Sequence, residues 1–331
     1  MKDKAWVSVT LCVVRYAIAL GALATITATF AFTAIPAFAA ETELVSPIGD
    51  FTIVAPVNAP GMLDTYGETA PNPTWSIMQW DIPGGNLSPF KPVSPTAVRA
   101  QAPEAEVTVS RGNDPENVDL RQDGALLPCL ENGKPRESDL FLGPNGNNLR
   151  NVKLGMMPAR PDGPSLTTMT RLVLRVTTSA SFARAQPDKG CVVNQAASLI
   201  GIVLSNFAAK PWQTMFYQLT LSHFCGGGPG ERVKICNALA TALAPYFTKN
   251  PFGTDDALPL TGQPYVKAGE VRKIEMDILP RLKRAIETGP GGIDRDPSHW
   301  VLGSVYLGQH IWGDVRGETS WSDFHLTADS P

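Results

Sequence analysis

The sequence predicts a mainly β fold, a two-sheet antiparallel sandwich with two short helices at its periphery. Three observations carry that expectation. The strongest segments alternate apolar and polar residues with the two-residue period of a pleated strand. Proline and glycine, 29 of each in 331 residues, punctuate the chain as turns. Only two stretches show helical spacing.

Elements follow in chain order. Lys2, Lys4 and Arg15 precede an uncharged apolar run from Tyr16 to Ile35, closed by Pro36 and Ala37-Phe38-Ala39. A basic region, an apolar stretch and a small-x-small site read as a secretory signal peptide, with cleavage after Ala39 or Ala40. Residues 1–40 are thus expected to be removed and 41–331 to form one loop-rich β-sandwich domain, secreted or periplasmic. Beyond residue 40 no stretch is long and apolar enough to span a bilayer. The signal holds three of the 28 basic and one of the 31 acidic residues, so the remainder carries five net negative charges. No basic stripe interrupts it, which argues against nucleic-acid binding.

Residues 41–165 are rich in Pro, Gly and Asn, with short apolar segments at Phe51–Val54 and Trp75–Trp80. Trp75, Gln79 and Asp81 share one strand face there. From 166 onward the strand signal strengthens. Thr170–Thr178 alternates, Ser198–Phe207 is continuously apolar like a strand buried on both faces, and Thr214–Phe224 follows a turn at Lys210-Pro211. Glu231–Phe247 places Val233, Cys236, Leu239, Ala240, Leu243 and Phe247 on one helical stripe. Glu270–Ile278 alternates as a strand. Leu279–Thr288 has Pro280 in its first turn and Gly289 past its end, the usual start and stop of a helix.

Four cysteines follow the signal. An even number in an exported chain favours disulfides, with Cys225–Cys236 and Cys129–Cys191 the preferred pairing. No C-x-x-C pair suggests a metal site. No cofactor is called for. Asp255, Asp256, Asp294 and Asp296 are oxygen donors without a recognised loop spacing, so calcium stays open. No G-x-S-x-G elbow, Walker loop or dinucleotide fingerprint occurs, and Gly226-Gly227-Gly228 lacks the Lys-Ser/Thr ending of a phosphate loop.

The clearest functional pattern is Trp300–Gly313, then Thr319–Thr327. Alternation puts Val301, Gly303, Val305, Leu307, Gln309 and Ile311 on one face, a core face apart from Gln309. Trp300, Leu302, Ser304, Tyr306, Gly308, His310 and Trp312 fall on the other. Along the last strand Trp321, Asp323, His325 and Thr327 oppose Phe324 and Leu326. Rings mixed with hydrogen-bonding groups on one face suit sugars, whose C–H faces stack and whose hydroxyls need fixed partners. The expected ligand set is Tyr306, His310, Trp312, Trp321, Asp323 and His325, with Gln79 and Asp81. A metal or acid–base cluster of His310, His325 and Asp323 is a further reading, and so is mere coverage of a sheet.

HWVLGSVYLGQHIWGD followed by TSWSDFHLTAD resembles the closing strands of secreted jelly-roll sandwiches: concanavalin-like lectins, carbohydrate-binding modules and related glycan hydrolases and lyases. The resemblance implies a jelly-roll sandwich. Ile274-Glu275-Met276-Asp277-Ile278 resembles the E-x-D core of laminarinase-like hydrolases, although Leu279-Pro280 stands where that motif reaches its second Glu. The leading expectation is an exported protein that binds a glycan or the cell envelope. The alternative is a polysaccharide hydrolase or lyase using Glu275, Asp277 or His310. A third is a structural or interaction protein of the envelope.

Overall fold

The computed structural model describes residues 41–45, 51–54, 65–68, 75–82, 85–110, 117–129, 136–144, 164–186, 189–191, 193–226, 266–289 and 291–329. The expected signal peptide, the 231–247 helix, the Cys225–Cys236 pair and Asp255-Asp256 lie outside what it describes.

Fifteen strands are described. They are β1 (Glu41–Glu43), β2 (Phe51–Val54), β3 (Thr65–Glu68), β4 (Trp75–Trp80), β5 (Lys91–Ser94), β6 (Ala97–Ala102), β7 (Ala105–Ser110) and β8 (Asn117–Asp123). Then come β9 (Glu137–Pro144), β10 (Arg171–Arg184), β11 (Asn194–Asn206), β12 (Gln213–Gly226), β13 (Val271–Asp277), β14 (Val301–Trp312) and β15 (Val315–Asp329). One sheet runs β13-β10-β15-β8-β7-β6-β5, with β1 added on β15; the other runs β12-β11-β14-β9-β4-β2-β3. All pairs are antiparallel except β2 with β4. This is the expected two-sheet, jelly-roll-like sandwich.

The described α-helix, α1 (Leu279–Glu287), buries Leu279, Leu282, Ala285 and Ile286, and Pro280 sits in its first turn as expected. The core lies between the sheets. Trp75, Trp300, Trp321 and Phe324 are fully enclosed there, and the Trp75 and Phe324 rings meet edge to face at 5.8 Å. Every residue of β11 is buried, as its unbroken apolar run predicts. The four-strand meander β5–β8 was not anticipated. Its alternation is short, but Ala105, Val107, Val109, Val118 and Leu120 all face the core.

Two register shifts alter which side chains face inward. Opposite Val203 and Leu204, β14 slips between Ser304 and Leu302, so Leu302 and Trp300 join the core. In β15 a shift lies between Ser322 and His325, where Asp323 takes φ 54°. An extra residue at a bulge reverses the inside–outside phase. Trp321 and Phe324 therefore both point inward.

β14 and β15 do not form a hairpin within one sheet. Gly313 and Asp314 turn the chain from one sheet into the other. Gly313 adopts φ 66°, and a Cβ there would lie 2.1 Å from the Val193 carbonyl oxygen. Asp314 is fully buried, accepting from the Gln186 backbone N–H at 2.7 Å and pairing with Arg184 at 3.1 Å. Near this corner Cys129 and Cys191 form the expected disulfide, bridging a separation of 62 residues. Lys189 donates to the carbonyls of Ala125 and Leu127 beside it.

Candidate functional site

β4, β9 and β14 lie side by side, and their outer faces carry an unusual concentration of ionisable groups. His310 stands opposite Asp139, Trp312 opposite Glu137, and Gly308 opposite Phe141. Met78 flanks Phe141 on the other side. Directly paired residues project the same way from a pleated sheet. One face thus gathers Glu137, Asp139 and Phe141 with Tyr306, His310 and Trp312.

Two glycines let the rings lie against the backbone. A Cβ at Gly201 would fall 1.9 Å from the Tyr306 ring, and one at Gly308 would fall 2.3 Å from the ring of Phe141. Tyr306 meets Phe141 at 5.2 Å, and its hydroxyl accepts from Gln218 Nε2 at 3.1 Å when the amide is the donor. His310 and Trp312 rings are 4.1 Å apart. The rings are enclosed: Tyr306, His310 and Trp312 expose 8%, 7% and 5%. Solvent reaches the site through charged side chains instead. Arg136 and Asp81 pair at 2.7 Å and are 33% and 28% exposed; Glu137 is 29% exposed.

Glu137, Asp139 and His310 each offer a ligand atom within 4.8 Å of the others. His310 Nδ1 is 3.7 Å from Glu137 Oε1. Burial pushes Glu137 up to about 7, partly offset by its hydrogen bond with Asp139. Asp139 is pushed well above the usual carboxylate range by burial and then by the charge of Glu137. His310 is driven down to about 3, chiefly by burial and then by His223. Taking charges out of water disfavours the ionised form of each group. Asp139 then holds the proton shared with Glu137, and His310 is a neutral imidazole. Such a cluster can share a proton, take up a cation, or hydrogen-bond a polyhydroxylated ligand at its open edge.

The structure redistributes the residues singled out from the sequence. Tyr306, His310, Trp312 and Asp81 belong to this face. Trp321 does not, because the β15 bulge seals it in the core. Gln79 lies on the inner face beside Trp75 and accepts from the Leu87 N–H at 2.8 Å. Asp323 and His325 lie on the outer face of the opposite sheet, where His325 contacts Glu43 at 2.8 Å and Asp323 at 3.4 Å. The anticipated single aromatic–polar face across both strands is therefore split between two sheets, and the His310–His325–Asp323 grouping does not form.

Glu275 and Asp277 are on the edge strand β13 of that same opposite sheet. Glu275 is 64% exposed and lies 3.5 Å from Arg175. Asp277 accepts from the Leu172 and Leu279 backbone N–H groups, both at 3.1 Å. Asp294 and Asp296, the open calcium candidates, are engaged locally. Asp294 binds His299 at 2.7 Å and Asn206 at 2.9 Å, and Asp296 caps the Pro297–His299 turn through the Ser298 N–H.

Sequence reading missed Arg136, Glu137, Asp139 and Phe141. Glu137-x-Asp139-x-Phe141 alternates as a strand and was there to be found. Its carboxyl spacing matches that of Glu275-x-Asp277, and nothing local says which pair is enclosed.

No family model and no curated protein matches the sequence. Among solved structures, a family 11 xylanase of Neocallimastix patriciarum aligns over 76% of this chain and 100% of its own, at 7% identity and TM-score 0.40. The xyloglucanase domain of NopAA from Sinorhizobium fredii, in complex with cellobiose, aligns over 74% and 98% at 11% identity and TM-score 0.36. A family 12 xyloglucanase of Bacillus licheniformis aligns over 73% and 100% at 9% identity and TM-score 0.35. These likenesses are too distant to carry any inference about ligand or activity. Among the described residues no helix is long and apolar enough to cross a membrane.

Proposed function

We propose that this is an exported glycan-binding protein whose sugar site is the outer face of β4, β9 and β14. The observation that supports it is a ring-lined sheet face opening to solvent through Asp81, Arg136 and Glu137. A carbohydrate needs hydrogen-bonding groups held in fixed positions against apolar rings. Here the Arg136–Asp81 pair supplies fixed donors and acceptors, and Trp312 and His310 supply the backing. The rings are too enclosed to be an open stacking platform, so the contact is made mainly by the charged rim, at a sugar edge or terminus. The Cys129–Cys191 disulfide accords with an oxidising compartment.

Binding of the full chain to a glycan array, followed by titration calorimetry with the best ligand, tests this. Arg136→Ala is expected to weaken binding at least tenfold with an unchanged melting temperature. Equal affinity in the variant, or an array with no bound glycan, overturns the assignment. Reducing-end release from the bound polysaccharide would make the site one of cleavage instead.

A further inference from the structure

We propose that Glu137, Asp139 and His310 form a binding site for a divalent first-row transition metal ion of the zinc type, an inference that goes beyond glycan binding and does not depend on it. Three observations converge. The three ligand atoms lie within 4.8 Å of one another and come from two hydrogen-bonded strands, so the backbone fixes their approach. His310 is nine-tenths buried, and its Nδ1 lies 3.7 Å from Glu137 Oε1. Asp139 Oδ1 is fully enclosed without a hydrogen-bond partner.

A shared proton satisfies only the contact between the two carboxyls. It leaves Asp139 Oδ1 unpaired, at a cost. One cation would displace that proton, engage all three groups and let both acids ionise side by side. The donor set decides the class of ion. Imidazole with carboxylate suits Zn²⁺ and its neighbours, while Ca²⁺ and Mg²⁺ favour oxygen-only sites with more ligands. Three protein ligands leave a fourth position, and the partly exposed Glu137 carboxyl marks the side from which it is reached.

The site differs from the other histidine–acid contacts. His299 and His325 both lie on the surface, and each turns separate ring nitrogens toward two separate acids.

Titration of the metal-stripped full chain with Zn²⁺, without glycan, tests the proposal. Calorimetry is expected to show one ion bound per chain, and the melting temperature should rise with Zn²⁺ but not with Ca²⁺ or Mg²⁺. Co²⁺ substitution should give the d–d absorption of an imidazole–carboxylate site. Glu137→Gln, at a partly exposed position, and Asp139→Asn, which keeps the side-chain shape, should each weaken Zn²⁺ at least tenfold while the far-ultraviolet spectrum is retained. A double His299→Ala/His325→Ala variant should bind as the parent does. Absence of saturable binding, or binding lost in the double variant but kept in Glu137→Gln and Asp139→Asn, overturns the assignment.

Discussion

The chain holds two Glu-x-Asp pairs on strands, and the sandwich treats them in opposite ways. Glu275 and Asp277 sit on an edge strand, where one carboxylate meets Arg175 in solvent and the other accepts two backbone N–H groups at the start of α1. Glu137 and Asp139 occupy an interior strand, partly buried beside an enclosed histidine and hydrogen-bonded to each other. Spacing along the strand is the same. What differs is the supply of partners: the first pair has donors for its charge, and the second has one proton between two acids. Paired carboxyls therefore become chemistry only where the fold withholds their partners.

That contrast can be broken by substitution. Asp277→Ala removes the acceptor for two N–H groups, one in the first turn of α1. It is expected to cost about 1–2 kcal/mol in urea unfolding, as loss of a helix-start acceptor does. Asp139→Asn should change stability by less than about 1 kcal/mol in chelator, because it replaces a carboxyl that is already protonated with a neutral amide that can still donate to Glu137. A clear destabilisation there would mean that the acid is already well partnered. Glu275→Gln should change stability by less than about 0.5 kcal/mol, the range of exposed ion pairs. A larger loss would show that the edge-strand acid is held more firmly than its exposure suggests.

Much of the scaffold was legible in the sequence. Alternation marked β10 and β13, the continuous apolar run marked β11, and Pro280 with Gly289 bracketed α1. The inner face of β14 was also read correctly from Val305 to Ile311. The site was only partly legible. Tyr306, His310 and Trp312 were placed on one face by their period, but Trp321 was assigned to it because a bulge leaves no trace in a two-residue period. The sheet-switching turn at Gly313-Asp314 cannot be told from a hairpin turn by local sequence, since a tight turn looks alike whether its strands pair or part. The Glu137–Asp139 pair went unseen because enclosure depends on which strands flank β9, and pairing partners far along the chain cannot be inferred from local pattern.

The positions of β14 and β15 have a consequence for the order in which the protein matures. β14 lies between β11 and β9, and β15 lies between β10 and β8. The last described strands to be synthesised are thus interior members of both sheets. During translation β11 and β9 wait without the strand that joins them, and so do β10 and β8. One layer cannot close before β14 has emerged, and the other not before β15 has. Long-range β pairing is slow to form, and unpaired edges invite aggregation in the interval. A molecule built this way completes its two sheets only when its last two described strands become available.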